Sequence, residues 1–306
     1  MRYFTMLISL CSIVAVTQSQ SGWNDLTPGT DLPGLYGVFT LDGSDIWVVG
    51  GEGTILHSLN GGESWTPLEG VTTQTIYAVE FINADTGWLA CDNDGWQSVL
   101  LRTTDGGATW ENQTVSGGNG SPIQDIEFIE RPGMGSVRGY CTGGLSYAWL
   151  TDDYGETWTS INGACGEGSF VACSIVDENT GWFAGFASTL NPSTVTRMNE
   201  AGGTWTPQAN PTEQPLRGIS FANSEQGIAV GNVGTIINTA NGGELWVSRA
   251  NDGSGWQGVF MTAAGKAWAV GKDGNIACSS NYGDTWTMQE SGTTSILWDA
   301  FFIDDE

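Results

Sequence analysis

Basic residues are scarce in this chain. Its 306 residues contain nine lysines and arginines against thirty-four aspartates and glutamates, and the formal net charge is −25 at pH 7. Nucleic acids and anionic lipid surfaces are bound by basic patches that replace counterions, so this charge argues against both as partners. We therefore expect a soluble protein whose partner is another protein or a glycan.

Histidine is scarcer still, which removes the usual residues of several catalytic and metal sites. The single histidine, His57, lies in the strand-like stretch TILHSL, with no serine, aspartate or cysteine pattern that would indicate a triad or a zinc site. The stretch CDNDGW (residues 91–96) shares the D-x-D-G order of calcium loops but lacks their register and closing glutamate. The sequence predicts no cofactor, no metal site, and a packed or edge position for His57.

Long apolar runs are missing apart from one near the N-terminus. Arg2, the apolar residues 7–16 and the small residues that end at Ser19 resemble a secretory signal. The apolar run falls short of the ~20 residues that span a bilayer, so no membrane span is predicted. We expect a signal peptide over residues 1–19 and a single domain over residues 20–306. The protein is then secreted, with a thylakoid lumen or a periplasm as the alternative compartment.

Cysteine usage fits an exported chain. Six cysteines are present, five of them after residue 19, and export permits disulfides. Cys165 and Cys173, in CGEGSFVAC, are close enough in sequence to form a disulfide that closes a small loop. Five thiols cannot all pair within one chain, so at least one is expected to be free or bonded to another chain.

Glycine and tryptophan are abundant, and they occur in a repeat. The chain has forty-five glycines and fifteen tryptophans. An eight-residue motif that ends in tryptophan occurs six times, and successive copies end 45, 48, 47, 41 and 40 residues apart, the period of a four-stranded propeller blade. The copies are SLNGGESW (58–65), TTDGGATW (103–110), TDDYGETW (151–158), MNEAGGTW (198–205), TANGGELW (239–246) and SSNYGDTW (279–286).

The segments between these motifs predict strands. Each unit holds an alternating apolar stretch such as IYAVEFI, a second that ends in glycine or cysteine such as GWLAC, and a third that leads into the motif. We predict an all-β propeller of six complete four-stranded blades. Residues 23–26 resemble a fourth strand without a blade, and residues 296–302 resemble an unaccompanied first strand. They predict a partial seventh blade, shared by the termini, that lacks its two middle strands and leaves edges for pairing in an otherwise monomeric protein.

The third position of the motif varies within the chain, and this variation indicates its role. A general acid, a general base or a metal ligand rarely tolerates asparagine, whereas a side-chain oxygen that accepts backbone N–H bonds in a hairpin needs no charge. We therefore predict structural turns, with the closing tryptophans packed at blade interfaces. The third residues are Asn60, Asp105, Asp153, Glu200, Asn241 and Asn281, and the tryptophans are Trp65, Trp110, Trp158, Trp205, Trp246 and Trp286.

On these residues the chain resembles the Asp-box, or bacterial neuraminidase (BNR) repeat, pattern S/T-x-D-x-G-x-T/S-W. The stretch DIWVVGGEGTILHSLNGGESW (45–65) further resembles the photosystem II stability and assembly factor family of Asp-box propellers. This resemblance implies a propeller that acts as a binding and assembly scaffold. Sialidases and xyloglucan-degrading enzymes share the repeat, so the repeat itself does not decide the activity.

Two enzyme classes could use such a repeat. A sialidase would need an Arg-Ile-Pro near its start and three arginines that grip a carboxylate, and the chain has no Arg-Ile-Pro. A glycoside hydrolase needs only two carboxylates, and Glu80, Asp125, Glu127 and Asp299 are expected near the central channel. Acidic side chains at alternate positions of inner strands also line a water-filled channel without any catalytic role, and we favour that interpretation.

The partner site is predicted on the propeller face opposite the Asp-box turns. There the loops between second and third strands vary in length, which often marks a binding face in repeat proteins. Trp96 lies in such an insertion beside Asp92 and Asp94, and an exposed aromatic residue there is typical of a binding anchor. The sequence thus predicts a secreted, non-enzymatic binding scaffold. The alternative is a carbohydrate-active enzyme or a lectin.

Overall fold

The computed structural model describes most of the chain as β-structure. The residues that it describes are 4–9, 13–17, 23–26, 32–93, 95, 97–113, 115, 117, 120–131, 133–161, 168–187, 193–251 and 254–302. Within these ranges the only helical segments are 3-10 turns, at Gly51–Gly53, Gly144–Ser146, Glu200–Gly202, Asn232–Gly234 and Lys272–Gly274. None of the described helical segments could cross a lipid bilayer.

Six sheets follow one another along the chain, and each contains four consecutive antiparallel strands. Blade 1 contains β4 (Leu35–Thr40), β5 (Ile46–Gly50), β6 (Ile55–Ser58) and β7 (Thr66–Pro67). Blade 2 contains β8 (Ile76–Phe81), β9 (Gly87–Cys91), β10 (Leu100–Thr103) and β11 (Glu111–Gln113), and blade 3 contains β12 (Ile123–Arg131), β13 (Ser136–Gly143), β14 (Ala148–Thr151) and β15 (Thr159–Ser160). Blade 4 contains β16 (Gly168–Asp177), β17 (Thr180–Ala187), β18 (Thr194–Asn199) and β19 (Thr204–Pro207). Blade 5 contains β20 (Leu216–Phe221), β21 (Gly227–Gly231), β22 (Thr235–Thr239) and β23 (Val247–Asn251), and blade 6 contains β24 (Trp256–Met261), β25 (Ala267–Gly271), β26 (Ile276–Ser279) and β27 (Thr287–Gln289). The predicted all-β propeller with six complete blades is confirmed.

The core lies between neighbouring blades. The second strands β5, β9, β21 and β25 are buried along their whole length, because a blade on each side covers both of their faces. In four blades a second-strand tryptophan stacks on a phenylalanine of the next inner strand, with ring centroids 3.7 to 4.6 Å apart. These pairs are Trp47 with Phe81, Trp88 with Phe128, Trp182 with Phe221, and Trp268 with Phe302.

The remaining strands form a seventh sheet, which we call the closing sheet. Its strands are, in order, β28 (Leu297–Phe302), β1 (Phe4–Ser9), β2 (Ile13–Thr17) and β3 (Asn24–Asp25). The predicted partial seventh blade is therefore not confirmed. Both termini do contribute to one sheet, but two middle strands lie between β28 and β3. These strands lie within residues 1–19, which the sequence predicts to be a signal peptide, because an apolar run rich in β-branched residues is compatible with an export signal and with a strand.

The first strand of each sheet lines a central channel. The inner strands β4, β8, β12, β16, β20, β24 and β28 contact one another in that order, and β28 contacts β4 to close the ring. Because side chains alternate along a strand, every second residue of each inner strand faces the channel. The channel is thus lined by equivalent positions from all parts of the chain.

Candidate functional site

The interior of the channel is polar on one side and apolar on the other. One position of each inner strand holds Glu80, Glu127, Ser174 and Ser220 in blades 2 to 5, and Phe260, Phe301 and Phe39 in blade 6, the closing sheet and blade 1. Phe301 contacts both Phe39 and Phe260, with ring centroids 5.2 and 5.6 Å apart. Asp125 and Asp299 lie two residues earlier in their strands and line the same cavity of about 320 Å³. The four acidic residues expected near the channel therefore all line it.

These carboxylates accept hydrogen bonds from the backbone of the next blade. The N–H of Phe128 donates to Glu80 Oε1 at 2.9 Å, and the N–H of Ile175 donates to Glu127 Oε2 at 2.9 Å. Asp125 and Asp299 accept in the same way from the N–H groups of Cys173 and Val38, at 2.8 and 3.2 Å. Each carboxylate thus has one oxygen that joins two blades.

Their environment favours the protonated form. Burial raises the pKa of Asp125 to about 6 and the pKa of Asp299 to about 7. Burial and the neighbouring Asp125 raise the pKa of Glu127 to about 8, and burial together with repulsion from Glu127 raises the pKa of Glu80 well above its ordinary value. No lysine or arginine is among the residues that line this cavity. The interior therefore carries less negative charge at neutral pH than its composition implies.

The mouth of the channel has a different composition. A cavity of about 370 Å³ is lined there by three aromatic side chains, two glutamines and one arginine: Tyr36, Tyr77, Trp298, Gln124, Gln257 and Arg217, together with Thr75 and Val171. The ring centroids of Tyr36 and Trp298 are 5.3 Å apart in an edge-to-face pair, and those of Tyr36 and Tyr77 are 6.0 Å apart. The aromatic residues form one wall, and the polar side chains contribute hydrogen-bonding groups.

Two groups at the mouth have unused binding capacity. The indole N–H of Trp298 is buried and has no hydrogen-bond partner among the described residues. The Arg217 guanidinium lies 5.4 Å from the ring centre of Phe186, and its Nε donates a long, 3.4 Å hydrogen bond to Asn232 Oδ1. Burial lowers the pKa of Arg217, and no described carboxylate forms an ion pair with it. A buried donor and a partly desolvated cation favour a ligand that supplies acceptors.

The predicted partner residues lie only in part within the described ranges. Asp92 follows β9, and its Oδ2 accepts a hydrogen bond from the hydroxyl of Tyr77 at 3.3 Å, which places Asp92 beside the mouth. Asp94 and Trp96 lie outside the described residues. Because Asp92 and Asn232 both follow second strands, the mouth opens on the face that carries the loops between second and third strands, opposite the Asp-box turns.

That face also displays exposed apolar side chains on strained backbone. Leu145 and Val233 occupy the same position in the 3-10 turns of blades 3 and 5, with φ of 57° and 56°. They are 64% and 50% exposed. Left-handed φ values are unfavourable for bulky or β-branched residues, and such strain collects at functional sites. The equivalent positions in blades 1 and 6 hold Glu52 and Asp273.

The Asp-box turns have the geometry of a hairpin held by side-chain oxygens. Asp105 Oδ1 accepts the N–H of Thr109 and the hydroxyl of Thr103, each at 2.8 Å, and its Oδ2 accepts the hydroxyl of Thr109 at 2.6 Å. Asp153, Asn60, Asn241 and Asn281 each accept the backbone N–H four residues later. The fourth copy departs from this pattern, since Glu200 begins a 3-10 turn in which Ala201 has a φ of 53°.

His57 and Cys173, which the sequence singled out, both pack against neighbouring side chains. His57 Nε2 lies 2.7 Å from Asp45 Oδ1, and the imidazole stacks on Trp47 with ring centroids 3.8 Å apart. Cys173 has a free thiol and packs in the core with Tyr140 and Phe183. Cys165 lies outside the described residues, so the predicted disulfide between Cys165 and Cys173 is not confirmed. Among the described residues, no three side chains suited to a metal ion come together.

Sequence comparisons relate the chain to photosystem II assembly proteins. The profile of the family described as photosynthesis system II assembly factor YCF48 matches residues 63–164. Photosystem II assembly protein Ycf48 of Synechococcus sp. (strain JA-3-3Ab) is 37% identical over 60 residues, which span 19% of this chain and 17% of that protein. The protein of the same name from Thermosynechococcus vestitus is 26% identical over 281 residues, which span 72% of this chain and 74% of that protein.

Solved structures share the fold. A structure of YCF48 bound to a D1 peptide has a TM-score of 0.65 at 18% identity, covering 89% of this chain and 92% of that chain. YCF48 from Cyanidioschyzon merolae has a TM-score of 0.63 at 19% identity, covering 85% and 86%. The GH74 enzyme of Niastella koreensis has a TM-score of 0.50 at 14% identity, covering 93% of this chain and 62% of the enzyme. From its repeats, its fold and these matches, the chain is a BNR-type β-propeller that resembles the photosystem II assembly factors.

Proposed function

We propose that the protein is a non-enzymatic binding and assembly scaffold that takes a segment of a partner protein at the mouth of its central channel. The observation that carries this proposal is the pairing of an aromatic wall with unused donors, the Trp298 N–H and the Arg217 guanidinium. A peptide segment supplies what these groups need, namely apolar side chains for Tyr36 and Tyr77 and carbonyl or carboxylate oxygens for the donors. The similar YCF48 structure in complex with a D1 peptide supports a protein partner.

The surrounding face extends this site. Leu145 and Val233 are exposed apolar residues on the same face, and their left-handed backbone costs stability that a turn glycine would not. We propose that they contact the partner at the periphery, together with the anchor residues predicted from the sequence, Asp92, Asp94 and Trp96. The strong negative charge of the chain favours partners with a neutral or basic surface around the bound segment.

The test is a titration with a synthetic D1 peptide, followed by cross-linked capture of partners from the native source. Trp298→Ala and Arg217→Ala should each weaken binding by about tenfold or more, since each removes a donor from the mouth. Leu59→Ala is the matched control, because Leu59 is 73% exposed and lies in an Asp-box turn on the opposite face. Equal binding by all four proteins, or loss of binding in the Leu59 variant, would contradict the proposed site.

A carbohydrate-active enzyme or a lectin is the second candidate. Four carboxylates line the channel, and the GH74 enzyme shares the fold. Each of these carboxylates, however, has one oxygen bonded to the backbone of the next blade, which favours a structural role. A panel of polysaccharides separates the candidates: release of reducing ends would establish an enzyme, and saturable binding without release would establish a lectin.

We further propose that the chain is exported and that residues 1–19 direct this export. The basic start, the apolar run and the small residues before Ser19 support the proposal. The mature protein would then be extracellular, or would lie in a thylakoid lumen or a periplasm. Sequencing the N-terminus of protein isolated from its source tests this directly, since a mature chain that begins at Met1 would refute it.

A further inference from the structure

The closing sheet is the only described sheet that joins distant parts of the chain. β1 pairs with β28 from Thr5 opposite Phe302 to Ser9 opposite Leu297, and it pairs with β2 from Phe4 opposite Thr17 to Ile8 opposite Ile13. β2 completes the sheet through Val14 opposite Asp25 and Ala15 opposite Asn24. β1 and β2 therefore lie between two strands that belong to other parts of the ring.

β28 is held in place without this hairpin. It contacts β24 and β4, its neighbours in the ring. The ring of Phe302 stacks on Trp268 of blade 6 at 3.7 Å, and Phe301 packs on Phe39 of blade 1 at 5.2 Å. The Asp299 carboxylate accepts the N–H of Val38 in blade 1. β28, at one edge of the closing sheet, is thus held by the inner strands on both of its sides.

β3, at the opposite edge of the closing sheet, is also held by neighbouring blades. Leu26, next to β3, packs in the core of blade 1, and its carbonyl oxygen accepts the Trp65 indole N–H at 2.9 Å. Trp23, on the other side of β3, packs with the residues of blade 6 and β28. Two anchored strands therefore flank a gap two strands wide, and each has an unpaired edge when that gap is empty.

We propose that the closing sheet is an acceptor slot for an apolar β-hairpin, that residues 4–17 of this chain are its occupant, and that the slot also binds such a hairpin when it is not covalently attached. Backbone hydrogen bonds to β28 and β3 supply most of the affinity, as in other cases of strand addition. An uncharged occupant suits the slot because β1 contacts β4 of blade 1, and the strands FTMLIS and IVAVT carry no charge. If export removes residues 1–19, the mature protein presents this slot empty.

The experiment uses the full chain with a protease site inserted after Ser19. The chain is folded, cut at this site and passed over a size-exclusion column, and hydrogen exchange is then measured across residues 297–302. We expect the cut segment to elute with the propeller. An excess of labelled peptide of residues 1–19 should replace it, and exchange at 297–302 should rise only when the slot is emptied.

Substitutions at Leu7 distinguish binding through backbone pairing from nonspecific binding of an apolar peptide. Leu7 lies opposite Val14 on β2 and Ala300 on β28, so proline at this position disrupts the centre of both pairings. The Leu7→Pro peptide should bind about tenfold more weakly or worse, while Leu7→Val, which keeps the N–H, should bind like the native peptide. Immediate separation of the cut segment with unchanged exchange at 297–302 would overturn the proposal. Equal binding of the proline and valine peptides would do the same.

Discussion

Replacing Glu127 with glutamine should make the protein more stable at alkaline pH. The ordinary pKa of this carboxyl, near 4.5, is raised to about 8 in the folded protein by burial and by Asp125. Between these two values the unfolded chain loses the proton while the folded chain keeps it, so the free energy of unfolding falls as pH rises and levels off above pH 8. Glutamine cannot ionise, and its carbonyl oxygen can still accept the Ile175 N–H that Glu127 binds at 2.9 Å.

The size of the effect follows from the gap between the two pKa values. Each unit of difference between the folded and unfolded pKa corresponds to about 1.4 kcal/mol of unfolding free energy, so the largest possible effect of Glu127 is about 5 kcal/mol. Glu127 is only partly buried and faces an open channel, so solvent reduces the cost of its charge. We therefore expect Glu127→Gln to gain about 2 kcal/mol over the native protein between pH 5 and pH 8.5.

Urea unfolding followed by tryptophan fluorescence at pH 5, 7 and 8.5 measures this difference. Glu130→Gln is the matched control, because Glu130 is an exposed glutamate on the same strand. Its effect should be small and independent of pH. The reasoning is wrong if Glu127→Gln destabilises the protein equally at all three values, or if its advantage shrinks as pH rises.

Three further predictions concern the turns and the binding face. Asp105→Asn should leave the urea midpoint almost unchanged while Asp105→Ala lowers it, because only alanine removes the acceptor for the Thr109 N–H; equal losses would indicate a role for the charge. Val233→Gly should raise the unfolding free energy by about 1 kcal/mol, because glycine relieves the left-handed strain, and it should also weaken partner binding. Asp273→Gly, at the equivalent turn, should give a smaller gain in stability. A loss of stability in Val233→Gly would refute the strain argument. Trp96→Ala should weaken capture of the partner with little change in melting temperature, and a large drop in melting temperature would show instead that Trp96 is a packing residue.

The repeated part of this fold could be predicted because its signals are local. The Asp-box turns recur at blade spacing, and the strict alternation of side chains along a strand is enough to direct Glu80 and Glu127 toward the channel. The aromatic wall of the mouth could not be predicted in this way. Tyr36 and Trp298 are 262 positions apart in the chain and meet only because the ring closes, so no local pattern relates them.

The closing sheet was missed for a different reason. Residues 4–17 are apolar and uncharged, and this composition is common to export signals and to strands that are buried on both faces. The disulfide between Cys165 and Cys173 could not be established from the sequence, because proximity in sequence does not fix side-chain direction; Cys173 lies on a strand that places its thiol in the core. Both cases depend on tertiary surroundings that a local sequence pattern does not specify.

The split between polar and apolar channel residues also determines which contacts join neighbouring inner strands. Where β4 meets β8 and where β24 meets β28, a phenylalanine takes the position that in blades 2 to 5 holds a carboxylate or hydroxyl bonded to a backbone N–H of the next blade. The ring centroids of Phe39 and Phe81 are 6.3 Å apart, and those of Phe260 and Phe302 are 5.4 Å apart. Hydrogen bonds weaken steeply when their partners slide, whereas aromatic contacts tolerate many offsets.

Asp299 joins the closing sheet to blade 1, and blades 2 to 6 are joined to one another by hydrogen bonds from the same channel positions. Tyr36 lies on blade 1, Trp298 on the closing sheet and Tyr77 on blade 2. The aromatic residues of the mouth therefore span one junction that has such a hydrogen bond and one that has a ring contact in its place.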